Sequence, residues 1–246
     1  MYQEFARVYD EFMETVPYET WADHIESLWQ KHGVRPDLVL DLACGTGGLA
    51  IELSRRGYDM IGADLSIEML EEAQEKSARE GLHILWIHQD MRELELFGTV
   101  DAAVCTCDSL NYITDPEDLK RVFRAVGAYL ESGGTFVFDI NTLYKYEQVL
   151  AENTYADTYD DAAFIWQNYY DPETRENEYQ VTFFVEEEQD RYLRYEEIHI
   201  QKAYSIEEIR TCFEEAGFEE EGLYDELSLK APGPDAERVH FSIRKK

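Results

Sequence analysis

The sequence lacks any long run of apolar residues. No stretch approaches the roughly 20 consecutive apolar residues that a membrane-spanning helix needs, so we expect no membrane partner. Residues 1–5 also lack the basic segment followed by an apolar one that begins a secretory signal. The sequence therefore predicts a cytoplasmic protein.

Cysteine is scarce, with four residues in a chain of 246. So few cysteines do not form the disulfide framework of a small secreted domain, which agrees with a reducing compartment. Cys105 and Cys107 have C-x-C spacing, and Cys44 falls on a neighbouring predicted strand. No further cysteine or histidine has the spacing of a zinc ligand, so we expect small buried thiols and no metal site here.

Basic residues are few, and acidic residues outnumber them by 53 to 22, which gives a net charge of −31. A nucleic-acid surface needs a stripe of basic side chains to displace counterions, and the longest basic cluster is residues 244–246 at the tail. Nucleic acid is therefore a disfavoured partner. The charge suits a neutral or cationic small molecule, and it leaves the oligomeric state open, a homodimer included.

The length allows one large domain, or one domain with a sizeable insertion. Short apolar runs alternate with helical patterns, which predicts an α/β fold with a doubly wound, mostly parallel sheet and helices on both faces. Strands are predicted at 38–43, 59–64, 84–88, 101–107 and 134–140, and helices near 47–56, 67–80 and 116–131.

Two helix starts have strong local signals. Asp115 followed by Pro116 combines an N-cap residue with proline at the first helical position, and residues 132–134 (Ser-Gly-Gly) are predicted to end that helix. Ser205 and Glu208 form a capping box, and their helix is predicted to end at Gly217.

Two other segments flank or interrupt this sheet domain, which spans 34–141 and 205–246. Residues 1–33 form a predicted helical cap of two helices separated by Pro17. Between the fifth strand and the capping box, residues 142–204 change to alternation with many aromatics. This change predicts a small antiparallel β insertion of three or four strands.

Residues 39–47 carry the strongest local signal. A short apolar run with one acidic residue, Asp41, breaks into a turn with glycines at 45 and 47, and a helical pattern follows at once. The glycines allow close approach of the backbone to a ligand, and the helix N–H groups can receive a polar or anionic group. Asp64 ends the next apolar run, where nucleotide-binding domains place a carboxylate on ribose hydroxyls. An adenosine-containing cofactor is therefore expected.

Two such cofactors are compatible with the turn. Residues 45–50 also fit the dinucleotide pattern G-x-G-x-x-A, which would make the chain an NAD-dependent oxidoreductase. Asp41 argues against that interpretation, because a dinucleotide-binding strand is buried on both faces and is usually apolar up to its first glycine.

Residues 41–47 resemble the first motif of the class I S-adenosylmethionine-dependent methyltransferases, written D/E-x-G-x-G-x-G, with Ala43 in place of the first glycine. The resemblance covers roughly residues 34–141 and 205–246. It implies a Rossmann-like, seven-stranded sheet whose antiparallel last strand is residues 238–243. It also implies S-adenosyl-L-methionine as the cofactor, with Asp41 organising the turn around its methionine moiety.

The same resemblance implies that Tyr9 of the helical cap contacts the cofactor and that the insertion, residues 142–204, shapes the acceptor site. It also implies further contacts. Asp90 would face the adenine amino group, Met91 would pack on the adenine ring, and the tip of the fourth strand at Cys107 would border the transferable methyl group. The predicted cofactor-binding residues are Tyr9, Asp41, Ala43, Gly45, Gly47, Asp64, Leu65, Asp90, Met91 and Cys107.

The sequence gives fewer signals for the residues that bind the acceptor. No catalytic residue is predicted, because methyl transfer mainly requires that the donor and the acceptor are held in line. Predicted substrate-binding residues follow the fourth and fifth strands: Asp108, Asn111, Tyr112 and Tyr144. Asp108 and Asn111 are equally typical of turns. Asp108, Asp139 and Asn141 could instead hold Mg²⁺, although Asp139 and Asn141 also fit a simple strand end.

The sequence therefore predicts a small-molecule methyltransferase that acts on nitrogen or oxygen. Two alternatives remain: an NAD-dependent oxidoreductase with the same glycine turn, and a non-catalytic regulatory protein that binds the cofactor only.

Overall fold

The computed structural model describes residues 17–159, 161–188 and 191–246. The first predicted helix and the predicted cofactor contact Tyr9 lie outside these residues. The second predicted helix is present as α1 (Tyr18–His32), and it ends at Gly33 in the left-handed conformation, with φ of 71°.

In these described residues, eleven strands form two sheets. The strands are β1 (Leu38–Leu42), β2 (Asp59–Asp64), β3 (Leu85–His88), β4 (Val100–Cys105), β5 (Leu130–Asn141), β6 (Thr154–Thr158), β7 (Ala162–Asp171), β8 (Glu176–Glu188), β9 (Arg191–Lys202), β10 (Phe218–Asp225) and β11 (Arg238–Lys245). The larger sheet has seven strands in the order β3-β2-β1-β4-β5-β11-β10. Its first five strands are parallel, and β11 is antiparallel to both β5 and β10. The predicted seven-stranded fold with an antiparallel last strand is confirmed.

Helices cover both faces of this sheet. After α1 they are α2 (Gly48–Arg55), α3 (Ile67–Arg79), α4 (Pro116–Tyr129) and α5 (Ile206–Glu215). Side chains alternate between the two faces of a strand, so Val137 of β5 joins the core beneath α1 and α2 while Phe136 and Phe138 join the core beneath α4 and α5. Burial on both faces explains why the central strands β1 and β4 are largely apolar.

The helix starts agree with the prediction, but one helix end does not. Asp115 accepts a hydrogen bond from the Glu117 backbone at the start of α4, and Ser205 forms the capping box of α5. However, α4 ends at Tyr129, before the Ser-Gly-Gly sequence, and β5 begins at once with Leu130 paired to Val100. The prediction was wrong because Leu130 is fully buried beside β4, and this packing ends the helix before the glycines are reached.

The segment between β5 and α5 forms the second sheet. After a short π-helical stretch (Lys145–Leu150), β6, β7, β8 and β9 form an antiparallel sheet in chain order. The predicted antiparallel insertion is therefore present, with four strands. In the part of the chain that the structure describes, no helix is long and apolar enough to cross a membrane.

Candidate functional site

The glycine turn joins β1 to α2 through three residues in the left-handed conformation. Ala43, Gly45 and Gly47 have φ of 57°, 53° and 77°. A side chain at Gly47 is impossible without rearrangement, because its Cβ would lie 2.5 Å from the Trp86 ring. A Cβ at Gly45 would meet no described atom within 4 Å. Packing therefore requires the second glycine, whereas the first one faces open space beside the turn.

Asp41 lies under this turn and is 2% exposed. Its Oδ2 atom has no hydrogen-bond partner among the described residues. Burial, and then the nearby charge of Asp64, raise the pKa of the Asp41 carboxyl to about 8. A buried carboxyl oxygen without a hydrogen-bond partner is unfavourable. Asp41 Oδ2 can therefore still form a hydrogen bond with a ligand bound next to the turn.

Asp64, at the end of β2, holds the turn in place. Its Oδ2 accepts a hydrogen bond from the Gly45 N–H at 2.8 Å, and its Oδ1 accepts one from the Ser66 N–H at 2.8 Å. Burial raises the pKa of Asp64, and these backbone donors oppose that shift. Each carboxylate oxygen can accept more than one hydrogen bond, so Asp64 keeps the capacity to bind hydroxyl groups. The adjoining Leu65 is 64% exposed.

Asp90 and Met91 follow β3, as the sequence predicts. Asp90 forms an ion pair with Arg92, which also reaches Asp118, and the Arg92 guanidinium lowers the pKa of Asp90. Met91 is half-buried and packs against the larger core. The Asp90 carboxylate is thus ionised and fixed at the sheet edge, and its contact with an adenine amino group stays a prediction.

The chain turns sharply after β4, and this differs from the prediction of a strand over 101–107. The strand ends at Cys105, while Cys107 and Asp108 both have left-handed backbones, with φ of 58° and 52°. The Asp108 N–H donates to Asp139 Oδ2 at 2.9 Å, which stabilises the turn. Burial raises the pKa of the Cys107 thiol to about 12, so this thiol is neutral.

Arg238, the first residue of β11, lies between Asp108 and Asp139. Its Nη2 donates to Asp108 Oδ1 at 2.7 Å, and its Nη1 pairs with Asp139 Oδ2. A second cation, the Lys145 ammonium, donates to Asn141 Oδ1 at 3.1 Å. The three side chains predicted as alternative magnesium ligands are therefore each engaged by a cationic side chain of this protein. The sequence analysis did not identify Arg238 as part of this cluster, because no sequence motif connects it with Asp108, which lies 130 residues earlier in the chain.

Asp108 and Asn111 attach the insertion to the main sheet. Asp108 Oδ2 accepts a hydrogen bond from Gln201 Nε2 at 2.6 Å, and the Gln201 Oε1 accepts one from the Tyr146 hydroxyl at 2.8 Å. Asn111 is fully buried and donates to the Lys202 carbonyl at 2.8 Å. These bonds position β9 over the end of β4. Contact of either side chain with an acceptor stays a prediction.

The two predicted tyrosines lie on different surfaces. The Tyr112 hydroxyl contacts the Tyr179 hydroxyl of the insertion, and its ring meets His199 edge to face, with centroids 5.8 Å apart. Tyr144 instead lines a cleft of about 270 Å³ with Ser205 and other residues at the start of α5. The structure therefore places Tyr112, and not Tyr144, under the insertion sheet.

Comparisons with known proteins agree with this geometry. A family profile described as "Methyltransferase domain" matches residues 39–134. YqeM of Bacillus subtilis (strain 168), which is named as a methyltransferase, is 35% identical over 246 residues, covering 100% of this chain and 97% of that protein. The crystal structure of an S-adenosylmethionine-dependent methyltransferase from Clostridium acetobutylicum ATCC 824 has a TM-score of 0.90 and 33% identity, and the match covers 99% of this chain and 98% of that chain.

A more distant relative has a more specific name. The dTDP-3-amino-3,4,6-trideoxy-alpha-D-glucopyranose N,N-dimethyltransferase of Streptomyces venezuelae is 30% identical over 142 residues, covering 56% of this chain and 58% of that protein.

Proposed function

The chain belongs to the S-adenosylmethionine-dependent methyltransferases, and from that premise we propose that it methylates the amino nitrogen of a small neutral or cationic molecule. Family membership confirms the predicted enzyme class and cofactor, and it favours methyl transfer over the nicotinamide and the non-catalytic alternatives. The named relative that acts on an amino sugar supports nitrogen as the acceptor atom. The net charge of −31 suits an acceptor that arrives as an ammonium ion.

The described residues fit the cofactor. The observation that carries the proposal is the open space at Gly45 beside a buried, unpartnered Asp41 oxygen. When bound, S-adenosylmethionine supplies an electrophilic methyl group to the acceptor's lone pair. We propose that the predicted residues at this edge of the sheet hold it: Asp41, Ala43, Gly45, Gly47, Asp64, Leu65, Asp90, Met91 and Cys107, with Tyr9 beyond the described residues.

We further propose that the insertion, residues 142–204, selects the acceptor. It reaches the end of β4 through the Gln201 contact with Asp108 and the Tyr179 contact with Tyr112. An acceptor held between Tyr112 and the insertion would lie beyond the carboxyl ends of the strands, where ligands of open α/β sheets bind. The insertion would orient the amine and exclude water, which is most of what this reaction needs.

A matched panel of acceptors tests the proposal. The purified chain is incubated with methyl-labelled S-adenosylmethionine and with pairs that differ only in the acceptor atom, such as benzylamine against benzyl alcohol, or a 3-amino sugar nucleotide against its 3-hydroxy counterpart. We expect transfer to members of the amine series alone. Transfer to the alcohols at equal or higher rates would overturn nitrogen as the acceptor.

We also propose a cytoplasmic location. The support is that Cys44, Cys105, Cys107 and Cys212 are all free thiols, which agrees with a reducing compartment.

A further inference from the structure

One face of β9 is directed toward the end of β4. Successive side chains of a strand point to opposite faces, so Glu197, His199 and Gln201 share a face. Gln201 is 1% exposed and contacts Asp108. The neighbouring Ile198, on the other face, is 64% exposed. The Gln201 contact therefore places Glu197 and His199 on the side of the insertion that faces the predicted acceptor space.

His199 is held on three sides. Its Nε2 lies 3.1 Å from Glu197 Oε2, with both side chains mostly buried. Its ring stacks on Tyr179, the residue directly opposite on β8, with centroids 5.0 Å apart. Tyr112, just beyond β4, packs edge to face against it. These three contacts fix the imidazole ring beside Tyr112, at the end of β4.

The contact with Glu197 selects a tautomer. A carboxylate can only accept, so the neutral imidazole carries its hydrogen on Nε2. Nδ1 then has the lone pair and can take a proton.

Other ionisable groups around this space are less suited to accept a proton. Asp108 and Asp139 are both paired with Arg238. Burial raises the pKa of the Tyr179 hydroxyl well above its ordinary value, so it stays protonated. Tyr112 shares a hydrogen bond with Tyr179. Lys145 is a second basic nitrogen near Asp108, and burial lowers the pKa of its ammonium group, which donates to Asn141 Oδ1. His199 differs from these groups because one of its ring nitrogens, Nδ1, lies outside the contact with Glu197.

We propose that His199 Nδ1 is the base that takes the proton of the acceptor's ammonium group, with Glu197 as the residue that positions it. This inference rests on the proposed amine methylation. An ammonium ion has no lone pair, so it must lose one proton before its nitrogen can form a bond to carbon. That proton passes to Nδ1 and then to water. The freed nitrogen lone pair forms the new N–C bond, and the electron pair of the broken C–S bond stays on sulfur.

The chain offers a matched set of variants. Glu197→Gln and His199→Asn remove the two proposed functions, while Glu196→Gln makes the same chemical change one residue away, where Glu196 pairs with the exposed Arg194. Calorimetry with S-adenosylhomocysteine provides the control for folding and for the cofactor site, and we expect all three variants to bind it within a few fold of wild type.

A first readout needs no turnover. Long-range ¹H–¹⁵N NMR of the S-adenosylhomocysteine complex should show the Nε2–H tautomer of His199 in the wild type and in Glu196→Gln, and a mixture of tautomers in Glu197→Gln. Benzylammonium chloride should shift the His199 ring signals, and benzyl alcohol should not. Equal shifts from both probes, or an unchanged tautomer in Glu197→Gln, would overturn the proposal.

A second readout is the rate with the best amine of the acceptor panel. General-base catalysis contributes about 100-fold or more, so His199→Asn should lower kcat by about 100-fold and Glu197→Gln by a smaller factor, with Glu196→Gln unchanged. A kcat within about 3-fold of wild type in His199→Asn would contradict a base at this position. If the proposed function itself is wrong, the wild-type protein will not methylate any amine of the panel. This outcome differs from that of a wrong base, in which the wild type and His199→Asn methylate the amine at similar rates.

Discussion

The Gly45 N–H donates a hydrogen bond to Asp64 Oδ2 at 2.8 Å, so the carboxylate at the end of β2 supports the turn at the end of β1. The two strands are parallel neighbours, which brings their carboxyl ends together. Asp64 therefore stabilises the turn, and we propose that it also accepts hydrogen bonds from hydroxyl groups of the cofactor. Its loss should affect both the turn and cofactor binding.

Asp64→Ala should weaken binding of S-adenosylhomocysteine by at least about 10-fold, because charge-assisted hydrogen bonds are among the strong ones. Asp59→Asn, at the exposed opposite end of the same strand, should bind like the wild type. Isothermal titration calorimetry measures both. If folded Asp64→Ala binds as tightly as Asp59→Asn, Asp64 is not a cofactor ligand.

Ala43→Gly should stabilise the protein. Ala43 has a left-handed backbone with φ of 57°, which costs a residue with a Cβ about 1 kcal/mol relative to glycine. Glycine's larger freedom in the unfolded chain offsets part of this gain, and so does the loss of the Ala43 methyl, which packs against the larger core. Urea unfolding should show a rise in the free energy of unfolding of less than about 1 kcal/mol. A clear decrease would mean that the Ala43 methyl makes packing contacts that outweigh the strain.

Asp41 should make the stability depend on pH. Its pKa is raised to about 8 in the folded protein, so between pH 4 and 8 the folded state keeps a proton that the unfolded state has lost. This contribution to stability is present at low pH and falls as pH rises, by up to about 1.4 kcal/mol per pH unit.

The check is chemical denaturation at pH 5, 6 and 7 in wild type and Asp41→Asn. Because the amide does not ionise, the variant should lose less stability per pH unit over this range. Identical slopes would show that Asp41 is ionised in the folded protein.

Tyr179→Phe should impair use of the acceptor and spare the cofactor. The change removes the hydroxyl contact between the insertion and Tyr112 and leaves the ring stacked on His199. We expect kcat/KM for the amine to fall by about 10-fold, in line with a lost hydrogen bond of about 1.4 kcal/mol.

The matched control for this change is Tyr169→Phe, an exposed tyrosine on β7. Steady-state kinetics should show wild-type values for Tyr169→Phe, and calorimetry should show unchanged S-adenosylhomocysteine affinity for both variants. Loss of cofactor affinity in Tyr179→Phe would instead make the insertion part of the cofactor site.

The sequence predicts where the proposed cofactor-binding residues lie in the fold because its signals there are local. Asp41, Gly45 and Gly47 fall within one turn, and Asp64 ends the next apolar run. The alternation of strands and helices predicts a parallel sheet, and the carboxyl ends of parallel strands lie at one edge, so the meeting of these residues there could be derived from the sequence.

The acceptor side could not be predicted in this way, because its contacts join distant parts of the chain. Arg238 reaches Asp108 across 130 residues, and Gln201 reaches it across 93. Alternation in β9 shows that Glu197 and His199 share a face, but it does not show which face of the insertion lies against the main sheet. That choice depends on the Gln201 contact, which only the folded structure shows.

The left-handed turn at Cys107 and Asp108 was also missed. Neither residue is a glycine, and although Asp108 is typical of turns, the run of strand-like residues continues past Cys105 in the sequence. The sequence therefore does not mark where the strand ends. The turn is stabilised by the non-local hydrogen bond from the Asp108 backbone to Asp139.

The most direct test of the central claim is calorimetric titration of S-adenosylmethionine into a matched pair of glycine variants. Gly45→Val and Gly57→Val both place a β-branched residue at a positive φ, 53° and 99°, where a Cβ meets no described atom within 4 Å. The control is the more strained of the two variants, because a φ of 99° lies outside the left-handed region that residues with a Cβ adopt. Only Gly45 lies in the turn after β1, whereas Gly57 follows α2 at the opposite end of that helix. We predict that Gly57→Val binds the cofactor like the wild type and that Gly45→Val does not bind it. Wild-type affinity in a folded Gly45→Val protein would contradict the placement of the cofactor on this turn.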